Sequence, residues 1–93
     1  MNSPEEIIAE VAVITGVPAP AITGPRRTTR ITWARFLAVA AIHQTHSWWS
    51  LRDLANQVNR TDHATASHAL QRFHALVNSN HEFRQLATEL KLV

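Results

Sequence analysis

Cysteine is absent from the 93 residues, which excludes disulfides and thiolate metal sites together. Small secreted scaffolds and the usual zinc-finger geometries are thereby ruled out, and a reducing cytoplasm is the expected setting. Long hydrophobic runs are missing too. The longest, Ile31 to Ile42, is broken by Arg35 and falls short of the roughly 20 residues of a membrane span. The opening "MNSPEEII" carries acids where a signal peptide carries bases, so a soluble chain without a targeting segment is expected. Glycine occurs twice, both times in the first third, and no repeat or low-complexity tract divides the chain. The length suits one domain over residues 1–93 with a thin core. A GxxxxGK phosphate loop is also lacking, so these residues hold no nucleotide cradle of that kind.

Lysine is nearly missing as well: eight arginines stand against one lysine, with a net charge of only +2. The arginines are unevenly placed. Arg26, Arg27, Arg30 and Arg35 lie within ten residues that contain no acid, whereas Glu5, Glu6 and Glu10 cluster near the start. A local positive field over a near-neutral body predicts a polyanion at one face, against the plainer reading of a solvated loop. Arginine favours the first reading, because a guanidinium fork matches phosphate and guanine edges where an ammonium is a point charge.

What is present reads as helix throughout. Ser3, Pro4 and Glu6 form a capping-box start, Ile7, Ile8, Val11 and Ile14 follow at helical spacing, and Gly16 supplies a left-handed stop. "VPAPAITGP" allows at most a single helical turn. Thr29 to His46 predicts one long helix, apolar nearly all round through Ile31, Trp33, Ala34, Phe36, Leu37, Ala38, Val39, Ala41 and Ile42, and therefore central. Ser50 and Asp53 box the start of a short helix, Leu51 to Val58. Asp62 or Thr61 caps the next, with Ala66, Ala69, Leu70, Phe73 and Val77 inward, and Asn80 caps a last helix with Phe83, Leu86 and Leu90 inward. The expected fold is all-α, a small bundle of about five main helices with no sheet.

Two of these helices, joined by the short turn at "NRTD", have the layout of a helix-turn-helix. With the inward stripe set, Ala64, Thr65, His68 and Arg72 point the other way. Such groups suit thymine methyls, base edges and phosphates. Quieter readings accompany several residues. Asp62 is fully explained as a helix cap. His43 and His46, one turn apart, have metal-ligand spacing but no third ligand, so no metal is expected. With His74 and His81 they read as partly exposed polar surface. Trp48 and Trp49 are expected to put one ring into the core and lay the other over a seam, although an exposed ring there would suit a protein partner. Asp62, His63 and Ser67 lack the geometry and oxyanion loop of a triad, so no enzyme and no cofactor are expected.

The stretch "NRTDHATASHALQRF", with "GPRRTTRITWARFLAVAAI" before it, resembles the C-terminal DNA-binding domain of the bacterial replication initiator DnaA. That family carries an arginine-rich loop, a long central helix and a helix-turn-helix of the Trp-repressor-like type. Its second helix opens Gly-Arg-Asp-His-Thr-Thr-Val-x-His-Ala, and Asp62, His63, Thr65, His68 and Ala69 fall on matching places. The resemblance implies double-stranded DNA as partner, specifically an asymmetric A·T-rich DnaA-like box. It implies Asp62, His63, Thr65 and His68 as base readers, and Arg27 in the minor groove, where a narrow A·T tract has enhanced negative potential. Arg26, Arg30, Arg35, Arg60 and Arg72 are left for phosphates. The chain departs from the pattern at Asn59-Arg60-Thr61, where the family has Gly-Gly-Arg, and at Ala64 and Ala66-Ser67, and the "HSWWS" loop is one residue longer. Each lost base contact forfeits ~1–3 kcal/mol of discrimination. The expectation is a stand-alone, nucleoid-associated DNA binder without the family's ATPase, acting on replication initiation or transcription. The alternative is a protein-interaction module that keeps the scaffold and has lost DNA binding.

Overall fold

A computed structural model describes residues 3–93. Its elements are α1 (Pro4–Thr15), α2 (Ala19–Ile22), α3 (Thr29–Thr45), α4 (Leu51–Gln57), α5 (His63–Ser79) and α6 (His81–Glu89), with no strand among the described residues. The five main helices expected from the pattern are joined by α2, the single turn that "VPAPAITGP" permits.

Local chemistry sets the boundaries. Ser3 accepts from the Glu6 amide while the Glu6 side chain accepts from the Ser3 amide, closing the capping box of α1. The backbone partner also holds the Glu6 carboxyl below its usual range. Gly16 ends α1 in the left-handed region at φ 74°. Ser50 and Asp53 repeat the box on α4, Asp62 caps α5 through the Ala64 amide, and Asn80 caps α6 through the Phe83 amide.

Helix α3 occupies the centre. All nine residues from Ala34 to Ile42 are buried, as a helix without a polar face requires. Helix α1 covers one side of it, α5 the other, and α4 packs against α5. Buried Ala66, Ala69, Phe73 and Leu76 form the inward stripe of α5, with Leu70 and Val77, also expected inward, half-buried at its edges. Phe83 of α6 fills the far end, edge-on to Trp33 at 5.5 Å and to Phe73 at 5.8 Å.

His46 corrects one expectation. It is buried, not surface, with its ring stacked on half-buried Trp49 at 4.2 Å and edge-on to Trp48 at 5.4 Å. Trp48 itself is 71% exposed.

Candidate nucleic-acid interface

The turn between α4 and α5 begins with a complete helix stop. The Arg60 amide donates to the Ala55 carbonyl at 2.9 Å and the Asn59 amide to Asn56 at 3.1 Å, with Asn59 left-handed at φ 62°. This is the hydrogen-bond pattern of a Schellman motif. Asparagine tolerates that conformation better than other non-glycine residues. The chain thus keeps the sharp turn for which the family pattern uses glycine.

The first turn of α5 emerges from this stop into solvent. Asp62, His63 and Ala64 are exposed, as are His68, Gln71 and Arg72 on the face opposite the buried stripe. Asp62 Oδ1 accepts from the Ala64 amide at 2.9 Å and lies 3.7 Å from His63 Nδ1. The capping role expected of Asp62 is therefore met by one carboxylate oxygen, and its second oxygen is open to an outside donor. His68 is held edge-on against Phe36 at 5.9 Å, which restricts its ring. Gln71 was not anticipated from sequence. It repeats Ala64 at seven residues on the exposed face, and a glutamine there can pair bidentately with adenine.

Beside this turn lies a cleft of about 380 Å³ lined by Arg27, Thr32, Arg35, Phe36, Arg60, Ala64, Thr65, His68 and Ala69. It brings the basic loop and the start of α5 to one side of the molecule, so Arg27, Thr65 and His68 share one surface. No carboxylate lines it.

Two arginines assigned to phosphate turn out otherwise. Arg35 is only 7% exposed, because it sits on the buried face of α3. Its Nε donates to the Ile22 carbonyl at 2.8 Å, and its Nη2 to Gly24 at 2.8 Å, Arg26 at 3.0 Å and Ala21 at 3.4 Å. Burial first, then the neighbouring charges of Arg60 and Arg27, push its pKa below the ordinary arginine value. A guanidinium stays protonated through such a shift. Arg60 is half-buried and donates through Nη2 to Gly24 at 2.8 Å and through Nη1 to the Val58, Asn59 and Thr23 carbonyls at 3.2, 3.3 and 3.4 Å. Both side chains are spent on the protein's own backbone.

Arg30 is exposed, away from the cleft. It lines a separate groove with Ile14, Thr15, Thr29, Trp33, Glu82 and Leu86, on the flank of α3 facing α1 and α6. Arg26, Arg27 and Arg72 are exposed, and Arg27 alone of these three lines the cleft. Among the described residues no group of three or more histidines, cysteines or carboxylates is placed to hold a metal. No helix there is long and apolar enough to cross a membrane.

A short helix, a Schellman stop and a longer helix whose exposed first turn adjoins a basic loop define a helix-turn-helix domain of the DNA-binding class. The chain belongs to the bacterial DnaA protein helix-turn-helix family, whose sequence model matches residues 4–72, from the start of α1 into α5. No curated protein sequence matches it. DNA binding is the activity of this family, and its domain is a binding rather than a catalytic one.

Proposed function

We propose that the chain recognises an asymmetric A·T-rich duplex box of the DnaA-box kind. The first turn of α5 enters the major groove, with Asp62, His63, Thr65 and His68 at base edges. Arg27 enters the adjacent minor groove, and Arg26 and Arg72 rest on phosphates. The observation that carries this is the shared cleft: Arg27 and the α5 residues Thr65 and His68 face the same side. With Thr61 and Ala64 in place of the signature arginine and threonine, the preferred sequence has drifted from the family's own. Binding calls on no nucleotide, and its effect falls on initiation or transcription at the boxes occupied. Residues 1–93 act in this as one unit.

Selection of duplexes from a random pool by the purified chain tests the reading, and enrichment of one asymmetric A·T-rich motif is expected. Affinity for that motif should fall with salt at a log–log slope of about −2 to −3, roughly 0.9 for each of Arg26 and Arg72 on phosphates and up to as much again for Arg27 in the minor groove. Enrichment of nothing, or equal affinity for a scrambled duplex, refutes it. The exposure of Trp48 supports a second, compatible reading of the "HSWWS" loop as a protein contact.

A further inference from the structure

We propose that Arg60 is a positioning residue for recognition. Together with Arg35 it locks the basic loop onto the helix-turn-helix turn, so that the minor-groove and major-groove contacts form one rigid reader. The inference rests on the reading above and adds how its two halves are joined.

The loop has few bonds of its own: the Thr23 and Gly24 amides turn back to Ala19 and Ala21, and the amides of Arg26, Arg27 and Thr28 have no backbone acceptor among the described residues. Helix α2 is four residues with no side-chain cap, and residues 23–28 have no regular structure. Instead, two guanidinium groups hold the carbonyls of Ala21, Ile22, Thr23, Gly24 and Arg26. Arg35 grips from α3 and Arg60 from the turn before α5, and both donate to the Gly24 oxygen at 2.8 Å. Arg60 bonds at the same time to Val58 and Asn59 of its own turn, so a single planar fork spans two loops 36 residues apart. The Arg26 carbonyl that Arg35 holds belongs to the peptide plane from which Arg27 departs. Fixing that plane fixes the base of the arginine proposed for the minor groove. The packing is close: a Cβ on Gly24 would stand 2.8 Å from the Pro20 carbonyl.

A lysine cannot replace this fork, since an ammonium is a point charge that does not bridge acceptors in one plane. Arg60→Lys therefore keeps the charge and removes the clasp. Anisotropy titrations of the whole chain with the selected box and a scrambled duplex, across a salt series, read the result. The box-to-scrambled preference should fall about tenfold, with scrambled affinity and its salt slope unchanged. A general loss of stability would weaken both duplexes alike and leave the preference intact. A preference that does not move, or a slope shallower by about 0.9 with both duplexes weakened equally, overturns the proposal and makes Arg60 a phosphate contact or a bystander. Gly24→Ala is an independent perturbation: its Cβ would meet the Pro20 carbonyl, so the Gly24 peptide that both arginines hold must shift with both arginines present, and it should reproduce the lost preference. If the parent itself shows no preference, the recognition reading has failed, and the clasp is judged by hydrogen exchange of the free protein. Faster exchange of the hydrogen-bonded amides of Thr23 and Gly24 in Arg60→Lys, with α3 unchanged, supports it; equal exchange refutes it.

Discussion

Replacing Arg35 with methionine separates a structural from a DNA-contacting arginine. The guanidinium makes three bonds of 3.0 Å or less, to the Ile22, Gly24 and Arg26 carbonyls. At about 1.5–3 kcal/mol for each bond from a charged donor, the gross loss is roughly 5–9 kcal/mol. Against this, the substitution relieves the desolvation of a buried charge and its repulsion by Arg60 and Arg27, which together return several kcal/mol. The Gly24 and Arg26 carbonyls lie near the surface and can find water, whereas that of Ile22, a fully buried residue, is harder to satisfy. The net cost should be about 2–4 kcal/mol. For a chain of this size each kcal/mol lowers the melting temperature by about 4–8 °C. A thermal melt followed by circular dichroism should therefore fall by about 8–32 °C. An exposed phosphate contact would change stability by no more than about 0.5 kcal/mol. A melt within about 2 °C of the parent, combined with a salt slope shallower by about 0.9, would refute the assignment and return Arg35 to the DNA.

Asp62→Asn keeps a good helix cap and removes a negative charge from the first turn of α5. Affinity for scrambled duplex should rise several-fold and the preference for the selected box should fall; a drop in both would show that the carboxylate's role is structural only. Asn59 is left-handed at φ 62°, so Asn59→Gly should be neutral or slightly stabilising, whereas Asn59→Val should cost about 1–2 kcal/mol in denaturant titration. Equal stability of the two would contradict the Schellman turn. Trp48→Ala should leave the melt within about 0.5 kcal/mol and DNA affinity unchanged. A weakened complex would place the loop on the DNA.

The fold was legible because its signals are local. Ser3 with Glu6, Ser50 with Asp53, Asp62 and Asn80 act within three residues of themselves, and the apolar circumference of α3 leaves it only the centre. The arginines were harder, because the four are alike in sequence: Arg26 and Arg27 lie in the loop before α3, and Arg30 and Arg35 differ only in the side of the helix they leave. Arg35 carried a clue: a charge surrounded on its helix by buried apolar residues must find its partners inside, and the prolines and glycine of the preceding loop free carbonyls to receive it. Arg60 gave no such sign, since its reach to Thr23 and Gly24 depends on the tertiary approach of two loops. Arg30 could have been placed by counting. It precedes Trp33 by three residues and shares that flank, whereas Thr32, Arg35 and Phe36 share the other. His46 resisted because its burial goes with the packing of Trp48 and Trp49, in the loop after α3, against its ring.

Methylation interference on the selected box tests most directly whether the loop and the helix start read adjacent grooves from one side. Dimethyl sulfate marks guanine N7 in the major groove and adenine N3 in the minor groove. With the parent chain, both kinds of mark should block binding within half a helical turn of each other on one face of the duplex. With Arg27→Ala, the adenine N3 interference should vanish while the guanine N7 interference stays. Minor-groove interference that persists without Arg27, or two sets of marks on opposite faces of the duplex, would contradict the single DNA-facing surface.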